Sequence, residues 1–215
     1  MRGAKADEKK YLGAIMVIAQ INPPTILPNS KNRLTIDEYH EIEETAEERH
    51  EYCNGEVTTM SGGTATHSEI ASNLLIYLGF LLRDTNFRLY NSDLRLWIPN
   101  YQYGSYPDLM IINGEPEFNR DRTDEILNPL LIIEVLSPST EAYDRGDKFR
   151  KYRSLDSFCE YLLVSQVELY VEQYHQIDQR DRWQLQICDR LDQTITLQSL
   201  NIELPMQEIY RRIKF

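Results

Sequence analysis

Three apolar runs, separated by turn-forming or charged segments, constrain the fold of this chain more than any other feature. They occupy residues 107–112, 130–137 and 160–165 and contain the strings DLMII, LLIIEVL and EYLLV. A strand that is buried on both faces reads as a continuous apolar run, so each run predicts an interior strand. The charged segment 141–154 lies between the second and third runs and predicts a helix. A strand, helix, strand order predicts a crossover with two parallel strands.

Signals elsewhere in the chain predict further helices and strands. Thr35 and Glu38 are spaced as a capping box at the start of a short helix. Asn54-Gly55 is a hairpin signal that joins residues 49–53 to 56–61. From Thr66 onwards, apolar residues recur mostly at three- and four-residue spacing, which predicts a long helix. These residues are Ile70, Leu74, Leu75, Leu78, Leu81 and Leu82.

The remaining segments predict additional strands around the three interior ones. Strands are expected at residues 87–91 and 94–99, and a strand-rich section follows residue 166. Its apolar residues alternate, as in antiparallel strands with one solvated face. A short helix is expected at 206–213. The predicted fold is therefore α/β, with a mixed sheet and an antiparallel C-terminal extension.

The chain is expected to form one domain with an N-terminal appendage. Its 215 residues suit a single sizeable domain. Residues 1–33 are interpreted as an extension and an arm, because 20–33 contain three prolines, and residues 34–215 as the domain. Met16 offers an alternative start of the chain.

Composition limits the classes of partner and the compartment. With 34 acidic and 23 basic residues the net charge is −11, so contact with nucleic acid requires a local basic patch or metal ions. The three cysteines form no CxxC pair, which indicates neither a disulfide framework nor a zinc knuckle. A reducing cytoplasm is the simplest interpretation. No apolar run reaches the roughly 18 residues that span a bilayer.

Two carboxylates interrupt the apolar runs where packing gives them no reason to be. Asp108 stands at the start of the first run and Glu134 in the middle of the second. An acid in such a place must be paired, protonated or bound to a metal. Oxygen ligands suit hard cations, so the pair predicts a Mg²⁺ or Mn²⁺ site. The main-chain carbonyl of Val135 could complete the coordination.

A lysine on the predicted crossover helix completes a candidate catalytic group. Lys148 shares a helix face with Arg145. Its ammonium could position an attacking water or offset charge in a phosphorane-like transition state. The alternative is a solvated helix whose bases pair with its own acids. We favour the catalytic interpretation, because the helix follows the two acids in the chain.

The motifs YPD, IIEVLSPST, DRGDKFRKY and EYLLV resemble the bacterial putative restriction endonuclease family of the PD-(D/E)xK nuclease superfamily. The segment RHEYCNGEVTTMSGGTATHSEI resembles the N-terminal signature of the same family, and the similarity covers roughly residues 34–166. The resemblance implies an αβββαβ core with Asp108 and Glu134 as metal ligands. The superfamily pattern places a lysine where this chain has Leu136. The resemblance implies that Lys148 replaces it.

Three further residues are weaker candidates for the site. Glu51 and Glu56 flank the Asn54-Gly55 turn and could contact a metal or a water, although acids in a hairpin are usually solvated. His67 begins the long helix, where a histidine is more often a cap or a packing residue. The resemblance makes His67 a candidate that contacts phosphate or Glu134.

Three functions follow from these residues. The first is a metal-dependent endonuclease that hydrolyses phosphodiester bonds in DNA. The second is a nuclease-fold protein that has lost cleavage and serves in binding or assembly, which the net charge of −11 and Leu136 favour. The third is a hydrolase of small phosphoesters. A homodimer is expected, because the strand-rich C-terminal section offers a self-complementary edge.

Overall fold

The computed structural model describes residues 33–60, 62–178 and 182–215. The predicted arm up to residue 32, including Met16, lies outside these residues. The first described element is α1 (Ile36–Thr45), which begins at the predicted capping box of Thr35 and Glu38. None of the helices in the described ranges is both long and apolar enough to cross a membrane.

A six-stranded mixed sheet forms the centre of the fold and contains all three predicted interior strands. Its strand order is β11-β10-β9-β8-β6-β3. Four of its strands are the edge strand β3 (Phe87–Asn91) and the strands β6 (Leu109–Asn113), β8 (Leu131–Leu136) and β9 (Glu160–Ser165). β8 is antiparallel to β6 and parallel to β9, which confirms the predicted crossover. With α2 (Ala65–Leu82) before β3 and the crossover helix before β9, the expected αβββαβ order is confirmed.

A second sheet of five short strands was not predicted as a separate layer. Its order is β2-β1-β5-β4-β7. The strands are β1 (His50–Cys53), β2 (Glu56–Thr59), β4 (Arg95–Ile98), β5 (Tyr103–Ser105) and β7 (Glu125–Ile126). The β1–β2 hairpin confirms the Asn54-Gly55 signal, with φ angles of 49° and 93° that suit a two-residue turn. Strands of two to four residues are too short for their pattern to assign them to a sheet.

Alternation along β8 directs Glu134 away from the long helix. Leu131, Ile133 and Val135 pack in the cluster that contains the buried face of α2. Ile132 and Leu136 pack in the opposite cluster, which contains Phe149, Tyr152 and Tyr161. Because successive side chains of a strand point to opposite faces, Glu134 shares this second face. It therefore projects towards the crossover helix.

The crossover helix is not a regular α-helix. The prediction was one helix at 141–154, whereas the chain forms α3 (Glu141–Tyr143), a π-helical turn (Asp144–Lys148) and α4 (Phe149–Tyr152) in succession. The π turn closes i→i+5 hydrogen bonds instead of i→i+4 bonds. It buries Asp144 and Lys148 on the same side of the helix. Such single π turns are often found at functional sites.

The C-terminal section confirms the predicted antiparallel extension in part of its length. β10 (Val171–Asp178) and β11 (Arg182–Cys188) extend the six-stranded sheet beyond β9. The strands β12 (Thr194–Leu197) and β13 (Ile202–Pro205) instead form a separate hairpin. The last helix, α5 (Met206–Ile209), is shorter than the predicted span of 206–213.

A buried ionic cluster joins α1 to the second sheet. Arg95 is 1% exposed, and its Nε lies 2.7 Å from Oε1 of Glu125, which is fully buried. His40 of α1 lies 2.8 Å from the same oxygen. Glu43 approaches the other end of the guanidinium at 3.7 Å. Since each charge in this cluster has an opposite charge or a hydrogen-bonding partner nearby, the cluster can stay buried.

Candidate active site

Asp108 and Glu134 lie side by side where the β6–β8 ladder opens. The last pair of this ladder is Leu109 with Ile133, and Asp108 lies one residue before β6. Oδ2 of Asp108 accepts a hydrogen bond from the main-chain N–H of Val135 at 2.7 Å. The main-chain N–H of Asp108 donates to Oε2 of Glu134 at 3.4 Å. The two carboxylates therefore lie together at the same end of these two strands, as the sequence predicted.

Lys148 lies against Glu134, although it belongs to the helix after the strand. Its Nζ is 2.9 Å from Oε1 of Glu134, 3.3 Å from Oδ1 of Asp144 and 3.6 Å from Oε1 of Glu51. The lysine is 6% exposed. Asp144 is an acid of the same helix, and the solvated alternative expected such a pairing. The ammonium is nevertheless buried among carboxylates rather than solvated. The solvated-helix interpretation of Lys148 is therefore wrong.

Tyr152 gives the Glu134 carboxylate a second donor. The Tyr152 hydroxyl donates to Oε1 of Glu134 at 2.8 Å and lies 3.3 Å from the hydroxyl of Ser105. Tyr152 lies four residues after Lys148, and the sequence did not identify it as part of the site. The available signal was spacing, because residues four apart on a helix lie on one face.

His67 approaches Asp108 from the other side of the sheet. Thr64 caps α2 by accepting a hydrogen bond from the main-chain N–H of His67 at 3.1 Å. The imidazole Nε2 is 3.2 Å from Oδ2 of Asp108. This contact with Asp108 raises the pKa of His67, burial opposes the increase, and the negative charge of Glu134 and the Val135 main chain add to it. The imidazole contacts Asp108. The contact of His67 with Glu134, which was one of the two contacts expected, does not form between these two described residues.

Burial dominates the electrostatics around Glu134. Loss of solvation raises the pKa of this carboxyl to about 8, with Asp144 and Asp108 adding to the increase and Lys148 opposing it. Burial by itself would lower the pKa of Lys148, but the charges of Glu134, Asp144 and Glu51 outweigh burial and raise it. Burial therefore favours the protonated form of Glu134, whereas the surrounding acids favour the charged form of Lys148.

The structure brings Glu51, and not Glu56, to this group. Glu51 is half-buried in β1 and faces Lys148. Glu56 stands beside the hairpin turn, opposite Cys53, and its side chain is exposed. No ion pair or side-chain hydrogen bond of Glu56 occurs among the described residues. The physical reason is that Glu51 lies two residues deeper in the hairpin, where the sheet meets the crossover helix.

The donor set suits a hard divalent cation with an incomplete protein shell. Asp108, Glu134 and the Val135 carbonyl supply oxygen donors only. The N–H and C=O of one strand residue point to the same edge, so the Val135 carbonyl faces the side of Asp108. In the described ranges, no three or more His, Cys, Asp or Glu side chains are grouped as a complete metal site. Mg²⁺ is commonly held by one or two carboxylates with waters and substrate phosphate, so the donors fit it.

A groove with a volume of about 740 Å³ reaches Asp108. Asp108 and His67 line it, whereas Glu134 and Lys148 lie behind them in the protein interior. One wall is the first half of α2, including Ser68 and Ser72. The opposite wall carries Glu47, Glu48 and Arg49. A substrate in the groove would meet Asp108 before Glu134 or Lys148.

Comparison with known proteins places this geometry in a family. Residues 36–207 match the model of Uma2, described as "Putative restriction endonuclease". An uncharacterized protein of Synechocystis, slr1290, is 38% identical over 186 residues, which cover 85% of this chain and 94% of that protein. A second Synechocystis protein, sll1609, is 38% identical over 152 residues, covering 71% and 85% of the two chains.

A solved structure has the same fold. It is the crystal structure of a "putative nuclease belonging to DUF820" from Anabaena variabilis. The TM-score is 0.65 at 18% sequence identity, and the match covers 82% of this chain and 97% of that one. The restriction-endonuclease-like fold is thereby confirmed.

Proposed function

The chain belongs to the family described as "Putative restriction endonuclease", and from this premise we propose that it is a metal-dependent endonuclease acting on phosphodiester bonds in DNA. The observation that carries the proposal is the convergence of Asp108, Glu134 and Lys148. Their contacts join two strand ends and the crossover helix, and Asp108 lines the groove. An apolar residue would pack as well in the place of a lysine that is buried among carboxylates, so packing does not explain this lysine.

Asp108, Glu134 and the Val135 carbonyl would hold Mg²⁺ or Mn²⁺. A divalent cation bound there supplies a polarised phosphate and a bound water of lowered pKa. Asp108 is kept in place by the Val135 N–H and by His67. Glu134 directs Oε2 towards Asp108, while its Oε1 is occupied by Lys148 and Tyr152. Both carboxylates are thus positioned by protein contacts.

Lys148 would hold the attacking water or offset the negative charge that develops on the phosphate. Its ammonium is held in place by Glu134 and Asp144. A preorganised charge in a water-poor site stabilises a transition state more than the same charge in solvent. His67 would act as a positioning residue for Asp108, since its contact is to that carboxylate.

The charge of the groove supports a requirement for metal. Arg49 is the basic residue of its wall, and Ser92 and Asp93 already hold its guanidinium. Glu47, Glu48 and Asp108 make the same groove acidic. Divalent cations would therefore have to offset the repulsion between this groove and a DNA phosphate.

Glu134→Gln tests the proposed function. The variant keeps the side-chain size but removes the charge that would hold the cation. With Mg²⁺ and supercoiled plasmid DNA, it should lose cleavage, whereas Glu56→Gln, which changes an exposed acid of the same protein, should cleave like the wild type. Undiminished cleavage by Glu134→Gln would remove Glu134 from the mechanism.

A second candidate function is a nuclease-fold binding or assembly protein without cleavage. The observation that favours it is the donor set, because the described residues contain no complete side-chain metal site. Leu136 also occupies the position of the usual lysine. Calorimetric titration with Mn²⁺ distinguishes the two, since a protein that binds no Mn²⁺ at millimolar concentration would fit the second function.

We also propose a cytoplasmic location. Cys53, Cys159 and Cys188 are all free thiols in the structure. Disulfides are rare where thiols are kept reduced, so three unpaired cysteines favour such a compartment.

A further inference from the structure

The outer edge of the six-stranded sheet is an unprotected strand. β11 ends the sheet and pairs only with β10 among the described residues. Natural edge strands usually carry charges, prolines or bulges that prevent pairing with another chain. After Arg182, β11 reads WQLQIC and has none of these charges or prolines. Its register with β10 is also regular from Trp183 to Cys188.

The opposite edge of the same sheet is protected. β3 carries Arg88, whose Nε donates to the Gly114 carbonyl at 3.0 Å and whose guanidinium pairs with Glu115. A charged side chain on an edge strand hinders pairing with another strand. The two edges therefore differ, and only β11 resembles a strand built to acquire a neighbour.

The side chains of β11 form an apolar row on one face. Leu185 and Ile187 are 46% and 44% exposed, which is high for aliphatic residues in an ordered strand. Trp183 continues the row and packs against Phe149 and Phe158 at ring-centroid distances of 5.2 and 5.5 Å. The row is therefore an exposed continuation of the core that lies under α4.

We propose that β11 pairs antiparallel with β11 of a second copy of this chain. A register centred on Leu185 pairs all 7 residues of the strand. In this register Leu185 lies opposite the partner's Leu185, Trp183 lies opposite the partner's Ile187, and Gln184 lies opposite the partner's Gln186. Apolar residues meet apolar residues and amides meet amides, and no like charges are opposed. The strand is self-complementary, as a two-fold interface requires.

The pairing would satisfy groups that the isolated chain leaves at its edge. The outer main-chain N–H and C=O groups of β11 would gain partners of the kind that they have in a sheet interior. The two rows of Trp183, Leu185 and Ile187 would cover each other on the same face. The interface requires no part of the candidate active site, so it stands independently of cleavage.

Another exposed apolar surface competes for the role of interface. Ile76 and Phe80 of α2 are 71% and 61% exposed and lie one helical turn apart. They lack the unpaired main-chain groups of a strand edge, and Arg83 covers Phe80 at 4.4 Å. A dimer through α2 is the alternative that the experiment must separate.

The test is the mass of the full chain in solution, measured by sedimentation equilibrium for three proteins. The wild type should be a dimer. Leu185→Lys should be a monomer, because it places two ammonium groups opposite each other at the two-fold axis. Ile76→Lys, an equally drastic change on α2, should remain a dimer. A monomeric wild type, a dimeric Leu185→Lys variant or a monomeric Ile76→Lys variant would overturn the proposal.

A cross-link keeps the proposal testable if Leu185→Lys fails to fold. Residues directly opposite in antiparallel strands have Cβ atoms about 4.5–5.5 Å apart, close to the separation in a disulfide. Mild oxidation of Leu185→Cys should therefore give a covalent dimer on a non-reducing gel. Ile76→Cys, treated in the same way, should stay monomeric on the gel. Equal cross-linking of both variants, or none of Leu185→Cys, would contradict pairing through β11.

Discussion

The hydroxyl of Tyr152 donates a 2.8 Å hydrogen bond to Oε1 of Glu134, across 18 residues of sequence. Lys148 reaches the same oxygen at 2.9 Å. Two donors on one carboxylate oxygen fix the rotation of the carboxylate and leave the other oxygen on the side of Asp108. The crossover helix thus determines which oxygen of Glu134 faces Asp108.

Tyr152→Phe should weaken metal binding without unfolding the protein. It removes a hydroxyl that orients a proposed ligand, and loss of such outer contacts costs about 10- to 100-fold in metal affinity or activity. Calorimetric titration with Mn²⁺ measures the change. Tyr174→Phe is the matched control, because its hydroxyl bonds to Glu172 and not to Glu134. Equal affinities for the wild type and Tyr152→Phe would show that the hydroxyl does not orient Glu134.

Lys148→Met should lower the rate of cleavage at saturating metal by about 100- to 1,000-fold, the usual cost of one transition-state donor. Lys148→Arg should recover part of this rate, because it restores the charge but not the shape. The measurement is single-turnover cleavage of plasmid DNA. Arg150→Met, an exposed substitution on the same helix, should leave the rate unchanged. A Lys148→Met rate within twofold of the wild type would exclude a direct role.

Metal binding should release a proton at pH 7. Burial raises the pKa of Glu134 to about 8, so the carboxyl is mostly protonated at pH 7 and must lose its proton to hold a cation. The apparent Mn²⁺ affinity should therefore rise as the pH increases through 8 and level off above it. Calorimetry in two buffers of different ionisation enthalpy counts the protons released. A Mn²⁺ affinity that stays constant between about pH 6.5 and about pH 9 would contradict a protonated Glu134.

Arg95→Ala should destabilise the fold strongly. Removing the guanidinium leaves the fully buried Glu125 and the nearby Glu43 without their cation. Breaking a buried pair in this way typically costs about 3–5 kcal/mol. Urea denaturation, followed by tryptophan fluorescence, measures the free energy of unfolding.

The matched control for Arg95→Ala is Arg88→Ala. Arg88 and its partner Glu115 have side chains that are 48% and 81% exposed. An exposed pair contributes about 0–1 kcal/mol, so this variant should unfold near the wild-type midpoint. Similar losses in the two variants would mean that burial does not govern the Arg95 cluster.

The parts of the fold that the sequence predicted are those with a strong local signal. The run around Glu134 and the apolar spacing of α2 depend on burial, which leaves a periodic pattern. The Asn54-Gly55 turn depends on two positive φ angles, which few residues adopt. The capping box at Thr35 is equally local. The approach of Asp108 to Glu134 followed from the interpretation of the two acids as one cation site.

The contacts that the sequence did not predict depend on packing between distant segments. The fully buried Glu125 and Glu160 resemble Glu134, since each stands at or within a strand. Yet Glu125 pairs with Arg95, and Glu160 accepts hydrogen bonds from the main-chain N–H groups of Gln198 and Ser199. A buried carboxylate within a strand is therefore not specific to a catalytic site, and only its partners distinguish a structural role from a catalytic one.

The π-helical turn makes the spacing within the crossover helix sensitive to chain length. Because its hydrogen bonds span one residue more than those of an α-helix, the turn contains the equivalent of a one-residue insertion. Each residue of an α-helix advances the side chains by about 100°. Deleting the exposed Gly146 would therefore turn Lys148 away from Glu134, or else rotate Phe149 and Tyr152 out of the core. With one added residue, the same helix directs Lys148 towards Glu134 and also directs Phe149 and Tyr152 into the core. A regular α-helix of this sequence could not do both.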